Sequence, residues 1–311
     1  MVLDPQVKAL LEQMEASDVP PMESLSPEQA RAGFQSLNDS STEELEPVGY
    51  LSNRVIPGPG GDLPIRIYTP EGTGPFPVLV FYHGGGWVIG DLDSHDNMCR
   101  SLTNLANTVV VSVDYRLAPE HKFPAAVDDC YTALRWVSEH PSELNIDSSH
   151  IAVGGDSAGG NLSTVVSYLT KQRGGPQLAY QLLLYPSTHI SADTASHREN
   201  GEGYFLTTES MTYFRNHYLR TVEDAEDPLV SPYLIEDLSG LPPAMVVTAE
   251  YDPLRDEGEA YARRLKEAGV PVIAKRYDGM IHGFISMAEQ LDKGKQALQD
   301  AAQALRSAFD E

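Results

Sequence analysis

The sequence is poor in basic residues and in cysteine. Its 311 residues include 22 Lys and Arg against 45 Asp and Glu, which gives a net charge of −23 at pH 7. Phosphate backbones and anionic membrane surfaces repel such a chain, so we expect it to bind neither nucleic acid nor membranes. Its two cysteines, Cys99 and Cys130, are too few for a disulfide framework, and we expect two unrelated thiols.

Long apolar segments are also lacking. No run of about 18 apolar residues, the length that a transmembrane helix needs, occurs in the chain. The N-terminal residues 1–20 have neither the basic start nor the apolar centre of a secretory signal peptide. These features predict a cytoplasmic protein.

What the chain does contain is an alternation of apolar runs and helical stretches. Continuous apolar runs occur at 77–82, 108–115, 151–155, 178–186 and 244–252, and helical patterns at 124–140, 160–172, 256–268 and 288–309. Continuous runs are typical of strands buried on both faces of a parallel sheet. Their alternation with helices predicts an α/β fold with a mostly parallel sheet. Before them, the turn at 58–61 predicts an antiparallel hairpin.

Two segments lie outside this alternation. The first 50 residues are helical and then irregular, and Ser26 with Gln29 predicts a capping box at the start of a second helix. Residues 189–225 carry few strand signals and one helix pattern after Thr207. An insertion of this size between two strands predicts a lid or cap.

The strongest chemical signal is Gly-Asp-Ser-Ala-Gly at residues 155–159, which fits G-x-S-x-G. A buried strand precedes the motif and a helical stretch follows it, as in a nucleophile elbow. Ser157 is therefore the candidate nucleophile. The start of the following helix points the amide of Ala158 towards an anion.

A glycine run, His83-Gly84-Gly85-Gly86, directly follows the apolar run at 77–82. Uncovered backbone N–H groups of this kind stabilise the negative charge that develops in acyl transfer. We predict an oxyanion hole made by the amides of Gly85, Gly86 and Ala158. His83 precedes the serine, so we expect it to anchor the loop rather than transfer protons.

The base and the acid are expected downstream of Ser157. Among the downstream histidines, His189, His197, His217 and His282, only His282 follows a late strand, at 272–277. We predict His282 as the general base. Asp252 stands at the tip of the run at 244–252 and is predicted to be the acid, with Glu250, Asp256 and Asp278 as rivals. The chain order Ser, Asp, His is that of α/β-hydrolases.

Other motifs give weaker or negative signals. The chain has neither a phosphate-binding G-x-x-x-x-G-K sequence nor an H-E-x-x-H zinc site. Residues 91–97 resemble a calcium loop only faintly, because Asp96 stands where the loop needs glycine. We predict no metal and no cofactor. Arg116 and Glu120 lie in an otherwise apolar stretch and are predicted to form a structural ion pair.

Five blocks occur together in this order: HGGGW, DYRLAPEHKFPAA, GDSAGGN, AEYDPLRDEG and IHGF. From about residue 78 to 287 the chain resembles the bacterial hormone-sensitive-lipase-type carboxylesterases of the α/β-hydrolase fold. The resemblance implies Ser157, Asp252 and His282 as triad, with the amides of Gly85, Gly86 and Ala158 as oxyanion hole. It further implies a cap built from 1–50 and 189–225 on a core of 51–188 and 226–311. It also implies cofactor-free hydrolysis and, as in several members, a homodimer.

The predicted function is a serine carboxylesterase that acts on small-molecule esters with short to medium acyl chains. The same triad serves amides, formamides and lactones, so a related acyl hydrolase is an alternative. A non-catalytic small-molecule receptor on the same fold is a second alternative. It is disfavoured because such receptors typically lack the Ser or the His, and both are present here.

Overall fold

The computed structural model describes residues 2–17, 19–39 and 45–310, and its centre is an eight-stranded sheet. The strands are β1 Tyr50–Gly58, β2 Gly61–Thr69, β3 Phe76–Tyr82, β4 Val109–Val113, β5 Ile146–Asp156, β6 Tyr180–Leu184, β7 Ala244–Tyr251 and β8 Val272–Ile281. Their spatial order is β1-β2-β4-β3-β5-β6-β7-β8. Strand β2 is antiparallel to β1 and β4, and the remaining neighbours are parallel. The predicted hairpin and mostly parallel sheet are confirmed.

Helices connect the strands. They are α1 Pro5–Glu15, α2 Pro27–Asp39, α3 Asp96–Ala106, α4 Ala125–Glu139, α5 Pro141–Leu144, α6 Ala158–Arg173, α7 Ala195–Asn200, α8 Thr208–Tyr218, α9 Arg255–Glu267 and α10 Asp292–Phe309. At the start of α2, Gln29 N–H donates to Ser26 Oγ at 3.3 Å, and Ser26 N–H donates to the Gln29 side chain at 3.0 Å. The predicted capping box is therefore present. Helix α3 was not predicted, because its polar start resembled a loop. Among the described residues, no helix is long and apolar enough to cross a membrane.

Both faces of the sheet are covered by helices. On β3, Val78 and Val80 pack in one apolar cluster with residues of α4 and α6. Leu79 and Phe81 point the other way and pack with residues of α3 and α10. Because successive side chains of a strand face opposite layers, a strand buried on both faces needs apolar residues throughout. This explains the continuous apolar runs of the sequence.

The predicted ion pair between Arg116 and Glu120 is wrong. The Arg116 guanidinium binds both carboxylate oxygens of Asp129 on α4 at 2.8 Å, and Glu120 pairs instead with Arg31 on α2 at 2.7 Å. Asp129 is almost fully buried, so its charge needs a bidentate partner, and the planar Arg116 guanidinium supplies one. The loop after β4 is thus tied to two helices rather than to itself.

A carboxylate at the end of β4 makes stability depend on pH. Burial raises the pKa of Asp114 from its usual value near 3.8 to about 6, and the carboxylates of Asp91 and Asp93 add to the rise. The folded state therefore binds a proton near pH 6 that the unfolded chain binds only near pH 4. At neutral pH the charged Asp114 destabilises the fold, and this cost disappears as the pH falls through that window.

We expect Asp114→Asn to raise the free energy of unfolding by about 1–2 kcal/mol above pH 7 and to bring no gain near about pH 4. Urea denaturation at both pH values measures the difference. Asp62→Asn, at the exposed start of β2, controls for simple loss of a negative charge. An Asp114→Asn variant that is less stable than the parent at neutral pH would contradict the argument.

Candidate active site

The sharp turn between β5 and α6 carries Ser157. Its backbone has φ 53° and ψ −115°, a strained conformation for a residue with a side chain. A Cβ atom on Gly155 or on Gly159 would collide with the carbonyl oxygen of Tyr82 at the end of β3, so only glycine at these positions lets β5 and α6 pack this closely against that strand. These features are those of a nucleophile elbow. They lift the hydroxyl of Ser157 into the cleft above the sheet.

Three side chains from different strand ends form one hydrogen-bonded chain. Ser157 follows β5, Asp252 follows β7 and His282 follows β8. The distance from Ser157 Oγ to His282 Nε2 is 2.9 Å, and His282 Nδ1 lies 2.8 Å from Asp252 Oδ2. The second oxygen of Asp252 accepts the Leu254 amide at 2.8 Å. With Nδ1–H donating to the buried carboxylate, Nε2 is left to accept the serine proton.

The rival acids are engaged elsewhere. Asp256, in the first turn of α9, accepts the Ser196 amide at 2.8 Å and an Arg255 N–H at 2.9 Å. Asp278 contacts Arg276 at 3.2 Å. Glu250 accepts the Gly279 amide at 2.7 Å, which fixes the end of β8 just before His282. The other downstream histidines have partners of their own: His189 stacks on Tyr233, His197 faces Glu257, and His217 bonds the Tyr213 carbonyl.

The glycine loop after β3 faces Ser157 across the same cleft. Gly85 has φ 114° and Gly86 has φ 58°, conformations that favour glycine. The amides of Val88 and Ile89 both donate to the Gly85 carbonyl, at 3.1 and 3.0 Å, which closes a tight turn. Within the described part of the chain, the amides of Gly85, Gly86 and Ala158 have no hydrogen-bond acceptor. These three donors are therefore available to an oxyanion.

A buried pair of side chains, Asp156 and His95, lies behind this loop, and the sequence did not predict it. Asp156 accepts the Gly84 amide at 2.8 Å, and the same oxygen lies 3.1 Å from His95 Nε2. Burial alone would raise the pKa of Asp156, but the His95 ring and the Gly84 amide outweigh it and lower that pKa. A charged carboxylate thus holds the start of the glycine loop next to Ser157. The only sequence signal for His95 was its place in the faint calcium-like stretch.

His83 has the geometry of the anchor that the sequence predicts. Its fully buried ring stacks on Tyr115 with the ring centroids 4.3 Å apart, and its Nδ1 lies 2.7 Å from the Gly84 carbonyl. Burial and the neighbouring His95 lower the pKa of His83 to about 4. At neutral pH this ring is uncharged, and Nδ1–H donates to the loop that it supports.

Comparison with known proteins agrees with this geometry. A family model for the α/β-hydrolase fold matches residues 79–286. The chain is 42% identical over 287 residues to a carboxylesterase, NlhH, of Mycobacterium tuberculosis, covering 91% of this chain and 89% of that one. It is 49% identical over 243 residues to the carboxylic ester hydrolase LipN of the same organism, a match that covers 76% of this chain and 65% of LipN.

Among solved structures, a hyperthermophilic esterase of Pyrobaculum calidifontis superposes with a TM-score of 0.94 at 42% identity, covering 99% of both chains. The resemblance to hormone-sensitive-lipase-type carboxylesterases is thereby confirmed. With this fold and these relatives, the chain belongs to the α/β-hydrolase family and is one of its carboxylic ester hydrolases.

Proposed function

We propose that this enzyme hydrolyses short- to medium-chain acyl esters of small molecules, with Ser157 as nucleophile, His282 as general base and Asp252 as the acid that orients it. The observation that supports these roles best is the continuous hydrogen-bonded chain from Asp252 through His282 to Ser157, at 2.8 and 2.9 Å. The 2.9 Å distance from Ser157 Oγ to His282 Nε2 is within hydrogen-bond reach of a general base, and the 2.8 Å hydrogen bond to Asp252 orients the imidazole.

The reaction begins when Ser157 Oγ attacks the ester carbonyl carbon and His282 Nε2 takes the hydroxyl proton. Asp252 holds the imidazole in the required tautomer and stabilises the cation that forms. The amides of Gly85, Gly86 and Ala158 bind the oxyanion of the tetrahedral intermediate.

As the intermediate collapses, the alcohol leaves with the proton from His282, and the acyl group stays on Ser157. A water molecule then gives its proton to His282 and attacks the acyl-enzyme, and the same steps release the carboxylic acid. No cofactor takes part in this scheme.

Rates on p-nitrophenyl esters of graded acyl length test this function. We expect turnover of short and medium chains, abolition by a serine-directed phosphonate and no effect of EDTA. Amide, formamide and lactone substrates in the same panel separate the related hydrolases. Loss of activity in EDTA that a divalent ion restores would contradict the metal-free scheme, and the absence of any turnover would favour the receptor alternative.

We further propose that residues 1–50 and 189–225 form a cap over the core segments 51–188 and 226–311. Residues 1, 18, 40–44 and 311 of these segments lie outside the described residues. Side chains from both proposed cap segments line the cleft that contains Ser157, among them Met22 and Phe214. On α2, the Arg31 guanidinium donates to the carbonyls of Val88 and Ala118 at 2.8 Å, which ties this segment to the loop beside the oxyanion hole.

Arg31→Ala tests the cap. The change removes hydrogen bonds to two carbonyls and a carboxylate, so we expect a changed ranking of acyl lengths and a kcat/KM lowered by roughly tenfold. Rates on the graded esters measure both effects. Arg135→Ala, which removes an exposed pair with Glu139 on α4 and lies outside both proposed cap segments, is the matched control. An Arg31→Ala enzyme with the parental rate and ranking would be incompatible with the proposal.

The oligomeric state and the location of the protein stay predictions. We propose a homodimer in the cytoplasm, and sedimentation at micromolar concentration is the measurement that checks the dimer.

A further inference from the structure

Phe205 has an unusual conformation for an aromatic residue. It lies in the turn between α7 and α8, where 44% of the residue is exposed to solvent, and its φ is 67°. A left-handed backbone at a bulky residue is strained, and exposure of the ring leaves part of its apolar surface in water. Strain of this kind is concentrated at binding and catalytic sites, so Phe205 needs a functional explanation.

The ring of Phe205 stands against the glycine that follows the catalytic base. A Cβ atom built on Gly283 would lie 3.3 Å from Phe205 Cε1 and 3.7 Å from Met287 Cε. Phe205 and Met287 therefore flank Gly283 and line the same cleft as Ser157. We call the three residues Phe205, Gly283 and Met287 the aromatic slot.

The mechanism decides which part of an ester reaches this slot. The alcohol oxygen receives its proton from His282 Nε2, so the alcohol group extends from the reacting carbon along the His282 side of the cleft. The slot begins at the residue after His282. A second aromatic ring, Phe214, stands instead against Gly86 of the proposed oxyanion hole, where a Cβ atom would collide with it. Phe205 and Phe214 thus border different sides of the reacting carbon.

We propose that the aromatic slot binds the alcohol part of the substrate and that it selects esters of aromatic alcohols over aliphatic rings of equal size. This inference rests on the ester hydrolysis proposed above. An aromatic alcohol stacks against the half-exposed Phe205 ring and contacts the polarizable thioether of Met287. Gly283 has no side chain, so the Phe205 ring packs directly against its backbone, and the ring of the alcohol stacks on the part of Phe205 that is exposed to the cleft.

Benzyl acetate and cyclohexylmethyl acetate test the proposal, because they share the acyl group and differ only in the ring of a primary alcohol. The kcat/KM of each ester is divided by its rate of alkaline hydrolysis. We expect the wild-type enzyme to prefer the benzyl ester by about fivefold. In Phe205→Leu, which keeps apolar bulk without an aromatic face, this preference falls to near one. Phe214→Leu keeps the preference, whatever its effect on the overall rate.

Ethyl acetate has no ring, so its rate of hydrolysis shows whether Phe205→Leu leaves the catalytic groups intact. The stoichiometry of phosphonate labelling checks the same point independently. Inhibition of the wild-type enzyme by benzyl alcohol, compared with cyclohexylmethanol, tests the slot without any variant. Equal inhibition by the two alcohols, or a benzyl preference that Phe205→Leu retains, would overturn the inference. Failure of the wild-type enzyme to hydrolyse all three acetates would instead overturn the proposed function.

Discussion

Asp252→Asn is expected to lower kcat by on the order of 10⁴, equivalent to about 5 kcal/mol of transition-state stabilisation. The asparagine keeps the shape of the side chain, but its amide N–H₂ can face His282 Nδ1 and favour the wrong imidazole tautomer. Nε2 then carries a proton and no longer accepts the hydroxyl proton of Ser157. Steady-state rates on a p-nitrophenyl ester measure the loss, after circular dichroism has established that the variant folds.

Two other carboxylates near His282 in the chain provide matched controls. Asp256 accepts the Ser196 amide of α7 and Asp278 pairs with Arg276, and neither contacts His282 in the structure. We expect the kcat of Asp256→Asn and of Asp278→Asn to fall by roughly tenfold or less, because these variants alter only residues that support the site. If either of these variants shows the large loss of kcat while Asp252→Asn remains active, the assignment of the acid is wrong.

Gly86→Ala is expected to lower kcat/KM by about 10²–10³, the loss that follows removal of one oxyanion donor. At φ 58° an alanine has a strained backbone conformation, and its Cβ would collide with the ring of Phe214. The loop has to move to relieve this collision, which turns the Gly86 amide away from the oxyanion. Rates on short acyl esters, where the chemical step dominates, measure the effect.

The control for the backbone cost is Gly240→Ala. Gly240 also has a positive φ, 67°, but no atom lies within 4 Å of its added Cβ, and it does not line the cleft. We expect this variant to lose a little stability and no activity. The double variant Gly86→Ala/Phe214→Ala removes the colliding ring and should recover part of the rate. A single Gly86→Ala variant with unchanged kcat/KM would show that this amide has no part in oxyanion binding.

Local signals in the sequence predicted the sheet and the positions of the candidate site. Runs such as 151–155 are buried on both faces, and a residue that directly follows such a strand lies at its carboxyl end. Ser157, Asp252 and His282 each follow a strand, and the parallel strands β5, β6, β7 and β8 are neighbours. Their carboxyl ends therefore meet at one edge of the sheet, where the structure brings the three side chains together.

The same local signals did not predict contacts between segments that are distant in the chain. The pairing of Arg116 with Asp129, and of Glu120 with Arg31, depends on which helices pack against the loop after β4. Helix α3 was missed because its first residues are polar, and Asp96 and Arg100 are buried only once the helix packs against β2 and α10.

The sequence by itself determined the fold class, the chain order of the candidate triad and the glycine loop, because these depend on periodicity and on residues adjacent in the chain. Only the tertiary structure decided that Asp252 rather than Glu250 meets His282, and that Phe205 and Phe214 stand at Gly283 and Gly86. Hydrogen bonds and ring contacts act over about 3–5 Å, a distance that residues far apart in the chain reach only once the whole chain has folded.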